Sequence, residues 1–288
     1  MRRAVSLPRR FPYRLVATDL DGTLLRGDHT ISQRTRDALV AAQAAGAEHL
    51  VVTGRGVAST RHILDDLGYR GLTVCGQGAQ LYHAGEHRLL TSVTLDRAVA
   101  RYALERLETG LGPVAVAVNR DGLDGEIVMD GRFEAVVHSG FRGGDRVPLS
   151  TAEVDRTALF AEPVIKLYVQ CPGLTDDELA SAARGLVGDS VTIVVSGRDL
   201  VEMLPLGLTK ATGLSLAARR LGVKASETIA FGDMPNDIPM LLWAAHGVAM
   251  ADAHPEVLAI ADEITAGNDA DGIAKTLEPL FSPVPPTV

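Results

Sequence analysis

The run "RLVATDLDGTLL" (residues 14–25) constrains this chain more than any other stretch. Residues 15–18 make a short apolar strand that ends abruptly on Asp19-Leu20-Asp21-Gly22-Thr23. A strand with no polar face is covered on both faces, the pattern of a parallel sheet held between helices. The residues that follow agree. Ser32 is placed to cap a helix whose inward positions Thr35, Ala38, Leu39, Ala42 and Ala45 share one face. Gly46 stops that helix, and "HLVVT" (49–53) reads as strand again. Strand, helix and strand within about forty residues form a βαβ crossover, which requires parallel neighbours.

The same grammar returns near the C-terminus. A helix over 209–220 stops at Gly222, followed by strand "TIAF" (228–231), the segment "GDMPND" and a helix through Met240 and Leu242. Strand "GVAM" (247–250), helix "HPEVLAIA" with Pro255 in its first turn, and a last helix "GIAKTLEPL" complete the series. The middle differs: "VAVAVN", "GEIVMD", "VIKLYVQ" and "SVTIVVS" read as strands broken by "DGLDG", "DGR" and "GFRGGDR". Two helices, over 94–108 and 175–186, lie among them. The expected fold class is α/β: a parallel sheet flanked by helices, built from residues 12–85 and 204–281. An α+β cap domain over 86–203 is inserted into it. The ends, 1–11 and the Pro-rich 282–288, are expected to be disordered tails, and no internal repeat is present.

Charge and composition narrow the class of ligand. A net charge of −8 opposes a nucleic-acid surface as the main business of the chain. No stretch approaches the roughly 20 apolar residues that span a bilayer. The five arginines among residues 1–14 precede no apolar export segment. Cys75 and Cys171 match no metal or redox spacing and fit a reducing cytoplasm as small buried hydrophobes. The expected partner is a small molecule, with neither nucleic acid nor membrane.

In open parallel sheets, ligands bind beyond the carboxyl ends of the strands. Polar residues gather at those ends here: Asp19 to Thr23 after the first strand, and Thr53-Gly54-Arg55 after the second. Gly232-Asp233-Met234-Pro235-Asn236-Asp237 follows a later strand, and Lys210 opens the helix before it. Converging carboxylates repel unless a cation sits among them. Oxygen donors without a His or Cys cluster select a hard ion, Mg²⁺ first, and Mg²⁺ leaves coordination places for water and phosphate. Lys210, the Thr53 hydroxyl and backbone N–H groups of the turn after Asp19 add what a phosphoryl group in transfer requires.

The ordered set D-x-D-G-T, T-G-R, a lone Lys and G-D-x-x-N-D resembles the four motifs of the haloacid dehalogenase-like hydrolases. The wording of "VEMLPLGLTKATGL", "GDMPNDIPML" and "GVAMADAHPEV" resembles the Cof-type phosphatases, which carry a large α/β cap on a Rossmann-like core. The resemblance covers about residues 14–280 and is weakest within the cap. It implies that Asp19 is a nucleophile forming an aspartyl-phosphate, and that Asp21 is the acid and then the base. It implies Mg²⁺ held by the Asp19 carboxylate, the Asp21 carbonyl and Asp233, with Asp237 acting through water or from behind the direct ligands. Leu20, Thr53, Gly54, Lys210 and Asn236 would grip phosphoryl oxygens, and Gly22 would allow the tight turn. The activity implied is a phosphatase acting on a small phosphorylated metabolite such as a sugar phosphate. A phosphomutase using the same intermediate and a non-catalytic phosphometabolite-binding protein are the alternatives. Relatives commonly read Asn-Gly-Ala where this chain has Gln77-Gly78-Ala79, a side chain one methylene longer. Within the cap, Arg120, Asp121, His138, Lys166 and Arg198 are candidates for facing the site, and Lys166 interrupts an apolar strand.

Overall fold

The structure, a computed structural model, describes residues 9–133, 151–197 and 200–283. Strands among these residues are numbered β1 to β16 along the chain. The chain divides into two compact units: Met1–Val52 with Leu214–Asp233 and Asp237–Val288, and Thr53–Gly213 with Met234–Asn236.

The first unit is built on a parallel sheet. Its strands are β2 (Leu15–Thr18), β3 (Glu48–Val52), β13 (Thr228–Gly232), β14 (His246–Ala249) and β15 (Glu263–Ile264), in the order β15-β14-β13-β2-β3. Every residue of β2 and β13 is buried, as the absence of a polar face required. The helix Gln33–Ala44 begins where expected: Ser32 accepts the Thr35 N–H at 3.0 Å, and Thr35, Ala38, Leu39 and Ala42 are buried. It packs against the helix Gly272–Leu277. One rung past β2, the Asp19 N–H donates to the Phe231 carbonyl at 3.0 Å. The pairing with β13 thus continues to the residue that leaves the sheet at its carboxyl edge.

Short pieces of the two segments expected as tails, 1–11 and 282–288, pair with each other. β1 (Arg9–Arg10) pairs antiparallel with β16 (Ser282–Pro283), and Phe11 is buried with its ring stacked on Phe281 at 5.0 Å between centroids. Removing two aromatic faces from water offsets the ordering of these few residues. Residues 1–8 and 284–288 lie outside the described residues.

The second unit holds a three-stranded meander and a six-stranded sheet. β4 (Leu72–Cys75), β5 (Gln80–His83) and β6 (Arg88–Ser92) form an antiparallel meander. The six-stranded sheet comprises β7 (Ala115–Arg120), β8 (Ile127–Met129), β9 (Thr151–Glu153), β10 (Val164–Gln170), β11 (Thr192–Gly197) and β12 (Leu200–Leu204). Its order is β11-β12-β10-β7-β8-β9, antiparallel except between β8 and β9. Helices Arg97–Leu111 and Asp176–Val187 bury Leu104, Leu107, Leu179 and Ala183 against Val116, Val118, Leu167 and Val169 of this sheet. The first of these helices starts at Arg97 rather than 94, because the Asp96 carboxylate caps the Ala98 and Val99 N–H groups. Thr175 and Glu178 form a capping box on the second. The sequence pattern did not announce β5, β6, β9 and β12: their residues mix polar and apolar types without clean alternation, and long-range pairing supplies the strand.

The fold class is therefore α/β, a parallel-rich sheet flanked by helices with a second, mostly antiparallel sheet. Among the described residues no helix is long and apolar enough to cross a membrane.

Candidate active site

Asp19 follows β2 in extended conformation and is 5% exposed. The chain then turns over Leu20–Leu24, closed by the Leu25 N–H to the Leu20 carbonyl at 2.8 Å. Gly22 makes that turn possible. Its φ is +76°, and a Cβ there would lie 2.9 Å from Cγ of Asp233, so a side chain is excluded by conformation and by space. The next residue completes the contact: Thr23 donates its hydroxyl to Asp233 Oδ1 at 2.7 Å. Asp233 in turn donates its backbone N–H to Asp237 Oδ2 at 3.1 Å. Gly232 leaves room for this fold-back, since a Cβ there would meet the Asp237 side chain at 2.5 Å. The Asp237 carboxylate is wholly buried.

These turns bring three acids together. Asp19, Asp233 and Asp237 each offer a carboxylate oxygen, all within 4.8 Å of one another. At an effective dielectric constant of about 20, each charged pair at that separation costs about 3 kcal/mol. The repulsion, the all-oxygen donor set and the space kept beside Asp233 by Gly22 fit a hard divalent cation. The half-buried carboxylate of Asp21 stands outside this group. Leu20 is buried, so its backbone is what it can offer a ligand.

Below this cluster, Thr18 shares a 2.9 Å hydrogen bond with His49 Nε2. Both residues are buried, and burial pushes the imidazole pKa down to about 4. A neutral histidine therefore supports the strand that carries Asp19.

The remaining predicted residues belong to the second unit. Thr53, directly after β3 in the chain, is buried and donates its backbone N–H to the Val74 carbonyl at 2.8 Å. Its Oγ1 accepts the Arg55 N–H at 3.1 Å. Gly54 is half-buried, and a Cβ on it would come within 3.1 Å of Cδ of Gln77. Lys210 is the first residue of the helix Lys210–Leu221 and is 2% exposed. That helix start is packed tightly, because Gly78 at φ +106° lies against the Thr209 carbonyl. Asn236 is buried and donates Nδ2 to Gln77 Oε1 at 3.0 Å.

The cap candidates have specific partners. Arg120 pairs with Glu126 at 2.8 Å and with Glu162 at 3.0 Å, and Asp121 accepts from Gln80 Nε2 at 2.9 Å. Lys166 is buried and ion-paired with Glu202 at 2.9 Å. His138 and Arg198 lie outside the described residues. Sequence reasoning passed over Glu202 and the hydrogen bonds by which Gln77 joins it to Asn236. The available signal was Lys166 itself, since a cation inside an apolar strand requires a carboxylate partner.

The profile of the haloacid dehalogenase-like hydrolases matches residues 16–277. A putative phosphatase of Bacillus subtilis, YxeH, is 28% identical over 278 residues, covering 93% of this chain and 98% of the relative. An HMP-PP phosphatase of Citrobacter koseri is 29% identical over 248 residues, covering 85% and 87%. Among solved structures, the subclass IIB sugar phosphatase BT4131 superposes with a TM-score of 0.77 at 26% identity, covering 92% of this chain and 98% of that one. The chain belongs to the haloacid dehalogenase-like hydrolases and, within them, to the Cof-type phosphatases that its motifs resemble.

Proposed function

We propose that the protein is a Mg²⁺-dependent phosphatase that hydrolyses a small phosphorylated metabolite, a sugar phosphate or similar monoester, through an aspartyl-phosphate. The observation that carries this reading is the convergence of Asp19, Asp233 and Asp237, a group that does not include the Asp21 carboxylate. The substrate class is supported by the relatives, one a phosphatase of HMP-PP and one a sugar phosphatase.

Asp19, Asp233 and the Asp21 carbonyl would hold Mg²⁺, with Asp237 behind them or acting through water. The ion would supply charge neutralisation for the attacking carboxylate and the phosphoryl oxygens. A carboxylate oxygen of Asp19 attacks phosphorus while the bond from phosphorus to the ester oxygen breaks. Asp21 gives its proton to that departing oxygen. Asp21, now a carboxylate, takes a proton from water, whose oxygen attacks phosphorus and releases Asp19. Thr53, the N–H groups of Leu20 and Gly54, Lys210 and Asn236 hold the phosphoryl oxygens throughout. We assign residues 12–85 and 204–281 to the hydrolase core and 86–203 to its cap. Two free cysteines, Cys75 and Cys171, suit a cytoplasmic setting.

The test is a panel of phosphorylated metabolites assayed for free phosphate with wild type and Asp19→Asn. Wild type should hydrolyse some of them, lose activity in EDTA and regain it with Mg²⁺, and Asp19→Asn should be inactive though folded. An Asp19→Asn protein as active as wild type would refute the nucleophile assignment. An isomerised hexose phosphate in place of free phosphate would make the protein a mutase.

A further inference from the structure

Lys166 and Glu202 are 1% and 2% exposed, and they are the centre of a hydrogen-bonded chain within the second unit. Lys166 Nζ donates to Glu202 Oε1 at 2.9 Å and to the Gly54 carbonyl at 2.6 Å. Glu202 Oε1 also accepts from Ser196 Oγ at 2.7 Å, and its Oε2 accepts from Gln77 Nε2 at 3.0 Å. Gln77 Oε1 then accepts from Asn236. We propose that this buried pair is a positioning device, which orients Thr53 through Gly54 and Asn236 through Gln77 for contact with the phosphoryl group. The inference rests on the phosphatase reading for the role of Thr53 and Asn236.

The direction of each bond follows from donor chemistry. An ionised carboxylate can only accept, so Gln77 must present Nε2 to Glu202. Its oxygen is then left facing Asn236, which must answer with Nδ2. The charge on Glu202 thus sets two amide orientations in series. Asn236 Oδ1 meets no partner among the described residues, so the Gln77 contact orients that amide.

On the other branch, the Gly54 carbonyl and the Arg55 N–H are opposite ends of one planar peptide. Lys166 holds the first, and Thr53 Oγ1 accepts from the second. With one lone pair engaged by the Arg55 N–H, the Thr53 hydroxyl still has its hydrogen to donate to an acceptor such as a phosphoryl oxygen.

Stability alone does not account for the pair. Burial works to discharge Lys166, but the Glu202 carboxylate and Tyr168 outweigh it and hold the ammonium charged. Exchanging such a pair for apolar residues of similar volume is often neutral or stabilising. Gln77 also sits at φ +61°, a left-handed conformation that costs a non-glycine residue about 1 kcal/mol. Backbone strain at a buried amide bonded at both ends is what a site built for orientation shows.

The test compares wild type with Lys166→Met/Glu202→Leu, which removes both charges together, and with Gln77→Leu, which cuts only the Asn236 branch. Three readouts are taken: kcat and KM for p-nitrophenyl phosphate, calorimetric Kd for inorganic phosphate in Mg²⁺, and Tm. The double variant should lose about tenfold or more in kcat/KM and bind phosphate about tenfold more weakly, with Tm within a few degrees of wild type. Gln77→Leu should lose a smaller factor in both. Wild-type kcat/KM and phosphate affinity in both variants would overturn the proposal, as would losses that merely follow the unfolded fraction. Should the double variant fail to fold, Gln77→Leu decides by the same criteria. A wild type that binds phosphate but hydrolyses no ester would sink the phosphatase reading alone, and the titration would still judge the positioning role. A wild type that binds no phosphate overturns both.

Discussion

Lowering the pH should weaken the first unit through one side chain, His49. Its imidazole is buried against Thr18 with a pKa pushed down to about 4, whereas in the unfolded chain it returns to about 6.5. Between those values the unfolded state binds the extra proton, so stability rises with pH there. The contribution is complete above pH 6.5 and is lost as pH falls toward 4. At pH 5 the ratio of the two binding polynomials gives a loss of about 2 kcal/mol relative to pH 8, with a slope of about 1.4 kcal/mol per pH unit in between. The assay is urea unfolding followed by the fluorescence of Trp243, the single tryptophan, at pH 8, 6.5 and 5 for wild type and His49→Leu. Carboxylates held low by exposed partners, such as Glu278 with its Arg34 hydrogen bond, cancel in that difference. The variant loses the Thr18 bond at every pH but has nothing to protonate. Its deficit against wild type should therefore shrink by about 2 kcal/mol from pH 8 to pH 5. A deficit that stays constant over this range would refute the neutral, buried histidine.

Two further outcomes follow from single contacts. Thr23→Val removes the 2.7 Å bond that fixes Asp233; a hydrogen bond to a charged group contributes about 1.5–3 kcal/mol, so half-saturation by Mg²⁺ should rise about tenfold with kcat at saturating Mg²⁺ nearly kept. An unchanged Mg²⁺ requirement would remove Asp233 from the metal site. Arg156→Met strips the 2.7 Å partner from Asp130, which keeps the Val116 and Phe133 N–H groups, and should lower urea stability by about 1.5–3 kcal/mol without altering KM.

The parts of this protein that could be read from sequence are those that local rules govern. Residues 15–18 were apolar on both faces because the sheet is covered on both faces, and Ser32 capped the helix because it is the residue type that can accept a first-turn N–H. The three converging acids were within reach as well, because each follows a strand that ends at the same sheet edge. What was hidden depends on register across long stretches of chain. Lys166 and Glu202 lie on neighbouring strands β10 and β12, and neither sequence neighbourhood says that Tyr168 will stand opposite Glu202 and bring the lysine into range. The pairing of Arg9–Arg10 with Ser282–Pro283 is hidden for the same reason: both segments look like tails until their partner is known. Glu202 carries no local sign of its role, since in "LVEML" it reads as an ordinary polar interruption of a strand.

The extra methylene of Gln77 has a consequence for inheritance. Its amide spans two fixed points, Asn236 and the Glu202 carboxylate, so its length is part of the fit. A chain with Asn at this position reaches less far by one carbon and must move its acid or give up the link. Positions 77 and 202 should then change together among descendants of a common ancestor. A lone Gln77→Asn exchange would be a step that selection corrects at the second site rather than a silent one.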